Sequence, residues 1–160
     1  MDALLDIAPL AWREIFTAIA AGTIVGFERQ VLGKPAGIRT SCLICLGTYV
    51  FVAMSAHIQG DNVDSTRVIG QVVTGIGFLG AGVMLARDGH VMGVTSAAVI
   101  WMLAAIGVMI GLGHDWTAIK MAVLTVAILV GVDLLESLFK TMRQGVHAPM
   151  KYRLKKDDPS

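Results

Sequence analysis

Residues 67–86 read RVIGQVVTGIGFLGAGVMLA. After Arg67 the stretch runs for 19 residues without a charge, and five of them are Gly70, Gly75, Gly77, Gly80 and Gly82. In a water-exposed helix each glycine would cost about 1 kcal/mol against alanine. A bilayer changes that balance. Lipid offers the backbone no hydrogen-bond partner, so a single span must be helical. Glycines then let neighbouring helices approach closely. The length also suits the roughly 20 residues that cross a hydrocarbon core. The stretch is therefore expected to be the central, most enclosed transmembrane helix. It contains Gly75-Ile-Gly77-Phe-Leu-Gly80, a match to the GxGxxG dinucleotide pattern. That pattern needs a strand before it, a helix after it and an acidic residue about 20 positions on, and a lipid-embedded segment offers none of these.

The rest of the chain agrees with a membrane setting. Its 160 residues are 55% hydrophobic and 16% charged, with a mean hydropathy of +0.70. Soluble domains average about 25% charged. The charges gather in a few short stretches with long neutral runs between them, as expected for an integral membrane protein. The net charge of +1 calls for neither nucleic acid nor an acidic partner. The acidic start, MDALLDIAPL, lacks the positive region of a secretory signal, so no cleavage is expected.

Five spans are expected, at about residues 10–27, 40–58, 67–86, up to 113, and 116–138, giving an all-α polytopic bundle over residues 1–140. Residues 141–160 form a short basic tail. Gly22 and Gly26 in the first span, and Gly107 and Gly111 in the fourth, are GxxxG close-packing pairs. The fourth helix is expected to begin near Thr95 or Ser96, both good caps, which leaves residues 91–94 extended or re-entrant. Asp88-Gly89 before it reads as a turn. With five spans the termini lie on opposite sides. Arg29, Lys34, Arg39, Arg87, Lys140, Arg143, Lys151, Arg153, Lys155 and Lys156 fall on one side, and Arg13, Arg67 and Lys120 on the other. By the positive-inside rule the N-terminus is outside and the tail cytoplasmic.

No catalytic constellation appears: no Ser-His-Asp arrangement, no zinc spacing, no phosphate loop opening a helix. No enzyme activity and no cofactor are expected. His57, His90, His114 and His147 fall at span ends or beyond, where a histidine is more often solvated than a ligand. Cys42 and Cys45 lie in an apolar run and read as small packing residues rather than a redox pair.

Two polar clusters are informative, because ionisable groups beside spans are costly and usually mark function. One is Glu28, Arg29, Lys34 and Arg39. It reads either as an interfacial belt or as a Glu–Arg network closing an inner mouth. The other is Asp61, Asp64 and Arg67, continuing along one helix face through Gln71 and Thr74. It reads as a pathway lining or as interhelical hydrogen bonds. Asp133 and Glu136 share a face near the end of the fifth span, where snorkelling to the interface accounts for them.

The strings Gly26-Phe-Glu-Arg-Gln30, Gly33-Lys-Pro-Ala-Gly-Ile-Arg-Thr40 and residues 67–82, followed by Gly93-Val-Thr-Ser-Ala-Ala98 and Trp101, resemble the MgtC/SapB family. The likeness covers about residues 22–113. It implies a multi-pass protein of the bacterial inner membrane built as a five-helix bundle and linked to growth in low magnesium. Some family members are thought to restrain the F-type ATP synthase. Virulence-type members carry a soluble C-terminal domain, which is not expected here after the short tail. The resemblance therefore points to magnesium-limitation or acid-stress adaptation through a membrane partner, with homo-oligomerisation open. The alternative is a small magnesium or proton transporter or channel. A transporter favours polar groups near the midplane and internal repeats. Here the strongest charges sit near the span ends.

Overall fold

The computed structural model describes residues 6–57, 65–87 and 90–138. Among them lie five helices: α1 (Trp12–Val31), α2 (Ile38–Ser55), α3 (Ser65–Val83), α4 (Val94–Gly111) and α5 (Asp115–Leu138). A short antiparallel hairpin, β1 (Leu85–Arg87) and β2 (His90–Met92), joins α3 to α4. Four helices, α2 to α5, are long and apolar enough to cross a membrane. α1 carries its charges at its ends, Arg13 and Glu14 in the first turn and Glu28 and Arg29 in the last. The chain divides into two units, Met1–Ala127 and Ile128–Ser160. α5 crosses that boundary, and its residues 128–138 are the described part of the second unit.

In the first unit α2 is the middle helix, and glycines on its neighbours let it be enclosed. α1 lays Gly22 and Gly26 against it. A methyl group added at Gly22 would lie 2.6 Å from the Cα of Cys42, and one at Gly26 would lie 2.6 Å from the Cα of Ile38. α4 lays Gly107 and Gly111 against it. There an added methyl would lie 2.6 Å from the Cys45 carbonyl oxygen or from the Val52 Cβ. Both GxxxG pairs thus act as close-packing faces. The small and half-polar side chains of α2, including Ser41, Cys45 and Thr48, are buried between them. Cys45 Sγ donates to the Leu103 carbonyl at 3.4 Å, and Cys42 Sγ donates to the Ile19 carbonyl at 3.4 Å. Both thiols are free and serve as packing groups. α4 is enclosed too, burying Val99, Ile100, Leu103, Ile106 and Ile110. The first half of α5 buries Ala118, Ala122 and Thr125, spaced as one helical face.

The structure overturns one expectation. α3 is not the enclosed helix: 6% of its span is buried, against 44% for α2 and for α4. It rests on α4 with Ile76 buried, and a methyl group added at Gly80 would lie 3.6 Å from the Ala97 Cβ, an ordinary contact. Gly70, Gly75, Gly77 and Gly82 have nothing within 4 Å of where a side chain would begin. The physical reason is angular. Residues four apart stack on one face of a helix, which holds for 22 with 26 and for 107 with 111. The five α3 glycines are spread around the helix, so most cannot face a single neighbour.

The boundaries also shift. α1 continues past Phe27 to Val31, which brings Glu28 and Arg29 into its last turn. α3 ends at Val83, because residues 85–87 pair with 90–92 in the register Leu85↔Met92, Ala86↔Val91 and Arg87↔His90. Of the segment expected to be extended, residues 91 and 92 lie in β2, whereas Gly93 is left-handed and Val94 already opens α4, ahead of the expected cap at Thr95 or Ser96. The expected Asp88-Gly89 turn lies outside the described residues. Gly93 then starts α4 with φ +88°, where any side chain would also collide with the Val83 carbonyl. This position requires glycine on both counts.

Candidate functional site

Of the two polar clusters, the one at the α1–α2 connection is assembled. Arg29 is fully enclosed, its side chain 4% exposed. Its Nη2 donates to Ser96 Oγ at 2.7 Å, a charge-assisted hydrogen bond reaching 67 positions along the chain to the first turn of α4. Its Nε donates to the Pro35 carbonyl at 3.4 Å. Its Nη1 lies 3.8 Å from Glu28 Oε2. One guanidinium therefore ties together the end of α1, the connecting loop and the start of α4. The planar five-donor fork of arginine suits this role, and lysine has no equivalent.

The loop is itself braced. Lys34 N–H donates to the Arg29 carbonyl at 2.8 Å, the Ile38 N–H donates to Gln30 Oε1 at 3.3 Å, and Ser41 Oγ donates to the Ala36 carbonyl at 2.8 Å. Ala36 takes φ +63°, uncommon for a residue with a side chain. Lys34 and Arg39 stand on the rim, exposed. Glu28 is buried, its Oε2 has no hydrogen-bond donor among the described residues, and the ion pair to Arg29 is long. The sequence left this cluster open between an interfacial belt and a Glu–Arg network; the structure encloses Glu28 and Arg29 side by side and leaves Lys34 and Arg39 exposed. Ser96 is the member that sequence reasoning assigned elsewhere, as a helix cap. Its only signal was a hydroxyl in the first turn of the most apolar helix.

The second cluster is described only in part. Asp61 and Asp64 lie outside the described residues. Arg67, Gln71 and Thr74 are exposed along α3, and Thr74 Oγ1 donates to its own helix at the Gly70 carbonyl, 2.9 Å away. Asp133 is exposed on α5.

A different charged group appears where α1 and α5 begin. Arg13 donates to Glu14 Oε1 at 2.8 Å and pairs with Asp115 Oδ2 at 2.9 Å, and the Ala11 N–H donates to the Tyr49 hydroxyl at 3.0 Å. A cleft of about 440 Å³ adjoins it, lined by Arg13, Thr17, His114, Asp115 and Trp116. Sequence reading placed Arg13 and Glu14 in the first span but gave no sign of Asp115, 102 positions away. Among the described residues no group of three or more His, Cys, Asp or Glu side chains is placed to hold a metal ion.

A membrane-spanning bundle with glycine-locked helices and a buried arginine at one end defines the class. The sequence profile of the MgtC family matches residues 15–138. The chain belongs to that family. It is 44% identical over 124 residues to a protein of Escherichia coli strain K12 named "Putative magnesium transporter YhiD", covering 73% of this chain and 57% of that one. It is 41% identical over 137 residues to Protein MgtC of Brucella abortus strain 2308, covering 82% and 56%. It is 37% identical over 110 residues to Protein MgtC of Salmonella typhimurium strain 14028s, covering 69% and 47%. The chain thus spans about half the length of the curated relatives it matches. No solved structure matches it.

Proposed function

We propose that this chain is a bacterial inner-membrane protein that serves adaptation to scarce magnesium or acid stress by docking on a membrane partner and modulating it. The F-type ATP synthase is the partner the family resemblance suggests. The protein acts without catalysis and without a cofactor, with its N-terminus outside and its C-terminus in the cytoplasm. The observation that carries this reading is the outward face of α3. Gly70, Gln71, Thr74, Gly77 and Ala81 are exposed there, and nothing lies within 4 Å of where a side chain would begin at Gly70 or Gly77. Small residues let a second helix come close, and amide and hydroxyl groups can bond across such a contact. Lipid chains gain nothing from either. The α1–α2–α4 core, by contrast, is closed by glycine contacts, and its charges sit at the helix ends.

The name carried by the Escherichia coli relative favours a second reading, magnesium transport by the chain itself. Flux separates the two. Purified protein in liposomes, loaded with a magnesium-sensitive or proton-sensitive dye, is expected to leave the leak at the protein-free level. Saturable magnesium or proton entry that depends on the protein would establish the transporter reading instead.

A further inference from the structure

Lys34 and Arg39 are the two cations of the α1–α2 connection that stay exposed. Among the described residues neither side chain has a hydrogen bond or an ion pair. The one acid between residues 28 and 57 is Glu28, and it is buried beside Arg29. The backbone that carries the two cations is held in place. Arg29 Nε donates to the Pro35 carbonyl, the Ile38 N–H donates to Gln30 Oε1, and Ser41 Oγ donates to the Ala36 carbonyl. A braced loop lowers the ordering cost of binding an anion there. Along from Arg39, α2 leaves one face open. Arg39, Leu43, Gly47 and Phe51 recur at four-residue spacing and share that face. Leu43 is 68% exposed and Phe51 64%. Between them, nothing lies within 4 Å of where a side chain would begin at Gly47. This leaves a notch between two large apolar side chains, eight residues or about 12 Å along the helix from Arg39.

We propose that this surface seats one anionic phospholipid, its phosphodiester against Lys34 and Arg39 and one acyl chain in the notch at Gly47. Two unpaired cations call for an anion. The arginine fork grips two phosphate oxygens at once, and the lysine adds a point charge. Basic groups at the end of a membrane span attract anionic headgroups in this way. A zwitterionic headgroup brings its own cation, which opposes both side chains. The notch carries no hydrogen-bonding side chain and is one residue wide. It admits a single row of methylenes but not the body of a helix, about 10–12 Å across. The cations and the notch belong to the same helix face, so one molecule reaches both. This inference is independent of what docks on α3.

The test uses the full chain in nanodiscs of dioleoyl phosphatidylglycerol and dioleoyl phosphatidylcholine in equal parts. Native mass spectrometry counts the lipids that stay on the released protein. The wild type is expected to keep phosphatidylglycerol in preference to phosphatidylcholine. Lys34→Gln with Arg39→Gln brings the two lipids to equal retention. Gly47→Leu leaves both charges in place and lowers the phosphatidylglycerol retained. Should the double variant not fold, Lys34→Gln alone is expected to show a smaller loss of preference. Melting in detergent is the second readout. Added phosphatidylglycerol is expected to raise the melting temperature of the wild type, and glycerol phosphate is expected to leave it unchanged. Equal retention of the two lipids by the wild type overturns the site and leaves Lys34 and Arg39 as interfacial anchors. A preference that survives the loss of both cations also overturns it. Retention untouched by Gly47→Leu overturns the acyl-chain seat. A rise with glycerol phosphate equal to that with the lipid gives the cations to a free phosphate instead. A lipid-free dimer that Gly47→Leu dissolves gives the face to a second copy of the chain, which likewise overturns the proposal.

Discussion

A methyl group added at Gly26 would lie 2.6 Å from the Cα of Ile38, whereas one added at Gly77 meets nothing within 4 Å. Equal substitutions at the two positions therefore have unequal costs. Gly26→Val forces α1 off the α2 backbone, and overpacking of this kind costs about 1–3 kcal/mol or more. Melting in detergent, followed by circular dichroism, is expected to show a clear drop for Gly26→Val and none for Gly77→Leu. Arg29 makes a second residue-scale contrast. Arg29→Met strands the Glu28 carboxylate and is expected to cost about 3–5 kcal/mol, as for other broken buried pairs. Ser96→Ala removes one charge-assisted hydrogen bond and is expected to cost about 1.5–3 kcal/mol. Because Arg29 and Ser96 are bonded, the double variant is expected to lose less than the two single losses added together, since contacting residues couple. Strict additivity in denaturant melts would contradict the contact.

At the scale of elements, α4 depends on how it is started. Gly93 holds φ +88° against the Val83 carbonyl, at the junction of the hairpin and α4. Gly93→Ala is expected to cost at least about 1–3 kcal/mol through the left-handed backbone alone, with a lower melting temperature as the readout. How much of this was legible in the sequence follows from the range of each signal. The pairs Gly22/Gly26 and Gly107/Gly111 could be read directly, because four-residue spacing fixes a face within one helix. The extended segment ahead of α4 was legible only in part: residues 91 and 92 are strand, but α4 begins at Val94 behind Gly93, and neither Thr95 nor Ser96 caps it. The place of α3 was not. Glycine permits a close approach without saying which side is approached, and five glycines spread around a helix invite the wrong inference. The bonds from Arg29 to Ser96 and from Arg13 to Asp115 were equally hidden. They join residues 67 and 102 positions apart, and no local spacing records such a meeting.

For the molecule as a whole, the proposed function rests on the division between a locked core and an open helix. α1, α2 and α4 hold one another through backbone-close contacts, while α3 leaves Gly70, Gln71, Thr74 and Gly77 exposed beside Phe78. Orientation belongs to the proposed reading, in which a partner would meet α3 from within the same membrane. A fluorescent reporter fused after Ser160 is expected to mature in the cytoplasm, and an alkaline phosphatase fused there is expected to stay inactive. An active phosphatase would reverse the assignment. The most direct test of the central claim separates folding from function on α3. Gly70→Leu with Gly77→Leu fills the open face without touching the core. The account predicts an unchanged melting temperature together with lost growth in low magnesium when the variant replaces the native chain. Wild-type growth with both leucines in place would contradict it.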